Sequence, residues 1–234
     1  MAINQTKPRI YGHRGAVGLE FENTLASFQK AIDLGVAGIE LDVWQTTDGE
    51  IVVFHDAWLE RLTNSSGFIY EKSLKELLQI PLKNGAQIPT LKEVIELVKP
   101  SQIPLLVEVK HEKAMAETAG ILQASLPFPA YAIGSFYHQP IQELKKATPA
   151  LQTAIMLEGV LADLPTYLNK VNPDFLVLAI ESFNQEVLET IRIQNRKLLF
   201  YTVNTPAQIQ LAEKANPYGI ITNFPDVLLK HFQQ

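Results

Sequence analysis

The sequence predicts an α/β protein built as a single (β/α)8 TIM barrel, and three observations carry that prediction. Short apolar, β-branched runs alternate with helical patterns from one end of the chain to the other. From the third run on, strand starts recur about every 21–26 residues, the length of one strand-loop-helix-loop unit. The chain has 234 residues, 47% of them hydrophobic, and no low-complexity tract. That is enough for one well-buried domain over 1–234, and no Ser/Gly-rich linker marks a boundary.

The strand runs fall at 9–13, 38–43, 104–109, 130–135, 152–156, 175–179, 198–203 and 219–222. Helical patterns lie between them, most clearly at 23–34, 90–98, 114–124, 140–147, 184–194, 206–215 and 225–232. Capping chemistry sets several starts: Asn184 precedes Gln185-Glu186, and Thr205 precedes Pro206 at a first helical position. Eight such units with right-handed crossovers close into a barrel. An open doubly wound sheet ranks second, because it needs fewer strands and the chain has no G-x-G-x-x-G turn. One stretch breaks the rhythm. Between the second and third barrel strands, at about 44–89, lie a strand-like run at 51–54, the turn-rich Asn64-Ser65-Ser66-Gly67 and a short helical segment at 73–78. This reads as a small insertion on the catalytic face, where such loops shape access to a site.

Composition narrows the function classes. The 20 Lys and Arg are scattered among 25 acids for a net charge of −5, which argues against nucleic acid as a partner. There is no cysteine, hence no disulfide, thiolate nucleophile or Cys-based metal site. The first residues lack a basic segment followed by an apolar one, and no apolar stretch reaches the roughly 18 residues that cross a bilayer, so the chain reads as cytoplasmic without stable membrane association. Nothing in the sequence signals an oligomeric state.

Strands of a parallel barrel are nearly all apolar, so polar residues inside them need a reason. Glu40 and Asp42 stand two apart in Gly-Ile-Glu-Leu-Asp-Val and share one face near the strand's C-terminal end. Two inward carboxylates repel each other and lose hydration unless a cation compensates, and a strand-end position favours a divalent cation over a buried Lys or Arg partner. Glu108 and Lys110 repeat the spacing in Leu-Leu-Val-Glu-Val-Lys, offering a third oxygen ligand and a positive charge for an anionic substrate. His13-Arg14 closes the first strand and His55-Asp56 follows the run at 51–54, two imidazoles suited to acid/base work beside an anion site. Phe136 and Tyr201, at the ends of two later strands, either line the pocket or belong to the core. Asn223 is either a site residue or the N-cap of the last helix. His111, His138 and His231 have no such setting. No Ser-His-Asp spacing, G-x-S-x-G or P-loop is present.

The motifs, in order, are Gly12-His-Arg-Gly15, Glu22-Asn-Thr24 followed by Ala26-Ser-Phe28, Ile39-Glu-Leu-Asp-Val43, Thr47-Asp-Gly49, His55-Asp56, Glu108-Val-Lys110, Ser135-Phe136, Thr202-Val-Asn204 and Ile220-Ile-Thr222. In this order along nearly the whole length, the chain resembles the glycerophosphodiester phosphodiesterases. The resemblance implies a TIM barrel with a small insertion after the second strand. It implies one divalent cation, Mg²⁺ or Ca²⁺, on Glu40, Asp42 and Glu108, with His13 and His55 as the acid/base pair and Arg14 and Lys110 on the phosphate. The implied reaction is hydrolysis of a small glycerophosphodiester to sn-glycerol 3-phosphate and an alcohol. Either water or the substrate's own 2-hydroxyl attacks, and His13 is the preferred base. Three positions depart from the family pattern: Phe21 for Pro, Tyr201 for Trp and Asn223 for Asp. The last two bear on the alcohol pocket.

Two alternatives stand beside this expectation. A phospholipase-type enzyme acting on intact lipid calls for an exposed apolar rim, and no stretch of the sequence stands out as one. A barrel that binds a phosphorylated metabolite without turning it over has no need of an acid/base pair.

Overall fold

In a computed structural model, which describes residues 7–233, the chain has nine strands: β1 (Arg9–Gly12), β2 (Gly38–Gln45), β3 (Ile51–Val53), β4 (Leu105–Val109), β5 (Tyr131–Ser135), β6 (Gln152–Leu157), β7 (Phe175–Ala179), β8 (Lys197–Tyr201) and β9 (Gly219–Thr222). All except β3 pair in parallel in the order β1-β9-β8-β7-β6-β5-β4-β2, and β1 also pairs with β2, which closes the barrel. The predicted strands all form, most with ends shifted by one or two residues. The run at 198–203 stops as a strand at Tyr201, although the Val203 N–H still donates to the Ile221 carbonyl at 3.0 Å.

The helices are α1 (Leu25–Leu34), α2 (Leu74–Leu77), α3 (Leu91–Val98), α4 (Met115–Ser125), α5 (His138–Ala147), α6 (Leu164–Val171), α7 (Gln185–Ile193), α8 (Pro206–Ala215) and α9 (Pro225–Gln233). Their starts follow local chemistry. The Thr24 side chain accepts the Ser27 N–H at the start of α1, Asn184 accepts from Val187, and Thr205 forms a reciprocal capping box with Gln208 ahead of Pro206. The sequence reading did not single out α6. It is only eight residues long, with Pro165 in its first turn, and its clearest signal is Asp163 accepting the Thr166 N–H.

Two apolar layers result. Alternate strand residues such as Ile39, Leu41, Val107 and Ile133 pack outward against the helices. The other set, among them Tyr11, Leu106, Met156, Val177 and Ile221, fills the barrel interior. Tyr11 crosses the interior near its N-terminal end. A Cβ at Gly38 would lie 2.2 Å from the Tyr11 ring, so glycine there is what lets the ring lie flat against β2.

The stretch between β2 and β4 departs from the barrel, as expected. β3 turns back antiparallel onto β2, with Val43 opposite Val53 and Gln45 opposite Ile51. Leu59, Leu62, Ile69, Leu77 and Leu82 gather with Trp44 and Phe54 into a small core of their own, and Phe21 packs against it. Among the described residues no helix is long and apolar enough to cross a membrane.

Candidate active site

The site lies where the barrel strands end. In the register of the parallel pair β2 and β4, Asp42 stands beside Glu108, and Glu40 lies one inward position below Asp42. Oxygens of Glu40, Asp42 and Glu108 lie within 4.8 Å of one another, and all three residues are buried. Two cations reach into the cluster. Lys110 Nζ is 2.8 Å from Asp42 Oδ1 and 2.6 Å from Glu108 Oε1, and Arg14 Nε is 3.3 Å from Asp42 Oδ2. Asn23 adds a hydrogen bond, donating from Nδ2 to Asp42 Oδ2 at 2.8 Å.

The three carboxylates do not share this compensation equally. Burial pushes Asp42 up, but Lys110 and Arg14 override it and hold the carboxyl well below its usual range. Burial together with the charges of Asp42 and Glu108 drives Glu40 well above its ordinary value, and burial raises Glu108 despite Lys110. Two of three clustered carboxyls thus resist ionising beside the third. A hard divalent cation, which takes several carboxylate oxygens, would relieve that repulsion, so this donor set fits such an ion.

A tight turn sets the first imidazole. Between β1 and α1 the chain runs Gly12-His13-Arg14-Gly15, with Arg14 at φ 49° and Gly15 at φ 89°. A Cβ on Gly12 would meet the Gly15 carbonyl oxygen at 2.1 Å, so the turn closes only with glycine there. It delivers the Arg14 backbone N–H to Glu40 Oε2 at 3.1 Å. His13 donates from Nδ1 to Asn223 Oδ1 at 2.5 Å, which turns Nε2 toward Glu40 at 3.8 Å. Burial and the Arg14 charge push His13 down to about 4, so the ring is neutral near pH 7. Asn223 is therefore placed beside His13 rather than on the first turn of α9, and its own N–H is held by Asn204 Oδ1 at 2.9 Å.

His55 enters from the other side, just past β3. Its Nδ1 meets Asp56 Oδ1 at 2.5 Å, and Arg61 pins Asp56 from Nε at 2.5 Å and from Nη2 at 2.8 Å. Burial lowers His55, partly offset by Asp42 and Asp56. Arg61 also clasps Glu22 at 2.7 and 2.8 Å, and Glu22 in turn accepts from Arg14 Nη1 at 2.7 Å. From sequence, Glu22 and Asn23 had no role, although both lie inside a quoted motif. Arg61 carried no local signal.

The remaining candidates resolve individually. Tyr201 and Phe136 meet edge to face, centroids 6.3 Å apart, with Phe136 exposed and the Tyr201 hydroxyl donating to the Leu157 carbonyl at 3.3 Å. His138 bonds Tyr167 and the Met156 carbonyl, and His231 pairs with Glu213 on the surface. The sequence had shown no apolar rim. In the structure Leu19, Trp58, the adjacent Phe136 and Tyr137, and Phe224 stand exposed on four strand-to-helix connections, too scattered along the chain to register as a stretch.

Fold and site together define a TIM-barrel enzyme with an acidic centre at the C-terminal ends of its strands. Residues 13–227 match the glycerophosphoryl diester phosphodiesterase family, and the chain belongs to that family. A glycerophosphodiester phosphodiesterase of Caldanaerobacter subterraneus is 30% identical over 95% of this chain and 97% of its own length. Among solved structures, the glycerophosphodiester phosphodiesterase of Thermotoga maritima superposes with a TM-score of 0.84 at 26% identity, covering 97% of this chain and 99% of that one. A phosphodiesterase of Oleispira antarctica, solved with its product sn-glycerol 3-phosphate, shares the fold with a TM-score of 0.90 at 24% identity, covering 97% of this chain and 98% of that one.

Proposed function

We propose that this chain hydrolyses small glycerophosphodiesters to sn-glycerol 3-phosphate and an alcohol, with His13 and His55 as base and acid. The observation that carries the reading is the pair of imidazoles reaching one buried three-carboxylate cluster from different elements, the β1–α1 turn and the connection after β3. Family membership supports it, and so does the glycerol 3-phosphate bound to the Oleispira antarctica relative.

Glu40, Asp42 and Glu108 would hold one divalent cation, Mg²⁺ or Ca²⁺, which when bound neutralises charge growing on the non-bridging phosphate oxygens. Arg14 and Lys110, whose head groups already converge on that centre, add positive charge for the phosphate. His13, neutral and oriented by Asn223, takes the proton of the attacking group at Nε2, either water or the substrate's 2-hydroxyl, the latter giving a cyclic phosphate that water then opens. Burial lowers His55 as well, with Asp42 and the Asp56 carboxylate against Nδ1 offsetting part of that, and in its protonated form it returns a proton from Nε2 to the departing alkoxide. One ring must be neutral and the other charged, so the rate passes through a maximum with pH.

The test couples released glycerol 3-phosphate to its dehydrogenase, using glycerophosphocholine as substrate with and without EDTA. Activity is expected to vanish on chelation and to return with Mg²⁺ or Ca²⁺. His13→Ala and His55→Ala should each lose about 10²–10⁴-fold in kcat. Full activity in either variant, or in EDTA, overturns the mechanism.

A further inference from the structure

Beside the site, on the side of His55, lies a second cavity of about 570 Å³ that the proposed chemistry does not use. Its walls include Trp44, Tyr70 and His111. Trp44 is the next inward position on β2 after Asp42, and its Nε1 donates to the His55 carbonyl at 3.2 Å. His111 follows Lys110 directly, and Ala57, two residues past His55, also lines the space. The cavity therefore adjoins the residue that protonates the leaving group, which is where the departing alcohol must go.

The lining says what kind of alcohol it takes. The three rings lie within about 30° of parallel, with centroids 5.5 Å apart for Trp44–Tyr70 and 6.5 Å for the two pairs with His111, and make one continuous aromatic surface. Around it stand hydrogen-bonding groups: the Gln45 amide, the Tyr70 hydroxyl, the His111 ring and Lys113. His111 Nδ1 accepts the Lys113 backbone N–H at 3.2 Å, so its Nε2 carries the proton and can donate. Lys113 makes no ion pair among the described residues, and the lining contains no carboxylate. A quaternary ammonium would gain from the rings but would be set against the Lys113 charge with no acid to offset it. A cyclic polyol matches both halves of the surface. Its C–H face lies on the aromatic rings, and its hydroxyls accept from Lys113, His111 and Gln45.

We propose that this cavity is the leaving-alcohol subsite and that it selects glycerophosphodiesters of ring polyols, such as inositol or a sugar, over those of choline. The inference rests on the hydrolytic reading above and adds the substrate class to it.

The experiment compares kcat/KM for glycerophosphoinositol, glycerophosphocholine and glycerophosphoethanolamine in the metal-loaded wild type and in Tyr70→Ala and Lys113→Ala. Both residues are exposed and lie outside the catalytic groups, and thermal melting checks that each variant folds. The wild type is expected to prefer the inositol ester to the choline ester by tenfold or more. Each substitution should cut kcat/KM for the inositol ester by about five- to tenfold, through KM, whereas Lys113→Ala should raise kcat/KM for the two cationic esters, from which it removes a like charge, and Tyr70→Ala should lower theirs by less than it lowers the inositol ester's. Preference for the choline ester, or an equal effect on all three substrates, overturns the subsite while leaving the hydrolytic reading intact. Failure of the wild type to turn over any of the three overturns both.

Discussion

The hydrogen bond between His13 and Asn223 decides which imidazole nitrogen faces the carboxylates, and it does so with a neutral partner. Replacing Asn223 by Asp puts a carboxylate against Nδ1. That stabilises the imidazolium, raises the His13 pKa, and keeps the ring protonated to higher pH. The acidic limb of the kcat/KM profile of Asn223→Asp should therefore move up by about one unit or more, whereas Asn223→Ala should lower kcat without that displacement. An unmoved acidic limb in Asn223→Asp would show that His13 is not the group titrating there. At this scale the carboxylates were legible, because an acid facing into a parallel barrel has few bland explanations. Asn223 stayed open between site and cap, since the sequence places it one residue past a strand and two before a helix. In the structure its side-chain oxygen meets His13 Nδ1 and its N–H is held by Asn204 Oδ1.

Among the elements, the excursion between β2 and β4 is tied to the barrel by an ion-pair chain rather than by packing alone. Arg61 from the excursion bridges Asp56, which orients His55, and Glu22, which also holds Arg14 from the β1–α1 turn. The Arg61 hydrogen bonds override burial to bring Asp56 down to about 2 and Glu22 below its usual value. Carboxyls depressed in the folded state stabilise it above their unfolded pKa, and the gain is lost as pH falls through the folded value. Arg61→Ala should therefore melt below the wild type near neutral pH, and the gap in Tm should close as the pH drops from about 4 toward 2. A gap that stays constant over that range would sink the assignment. Helix starts were readable from Asn184 and Thr205, each a local cap. Arg61 was not, because its partners lie 5 and 39 residues away and nothing near it in the chain announces them.

For the whole molecule, barrel closure was legible from the repeat of the strand runs, whereas the fit of its interior was not, since sequence alone does not say which glycine faces which ring. Tyr11 lies flat against β2 only because Gly38 has no side chain. Gly38→Ala forces the ring or the strand aside and should lower stability by about 1–3 kcal/mol, read from the shift in a urea midpoint at unchanged slope. A variant as stable as wild type would mean that the ring has room to move. The layers from Tyr11 up through Met156 and Val177 also fill the barrel as a packed core. With the interior filled in this way, whatever enters at the strand ends leaves by the same face. For a hydrolase making two products, the one held by the charged groups blocks the next substrate until it departs. Glycerol 3-phosphate should accordingly inhibit competitively, while the freed polyol, itself uncharged, leaves first.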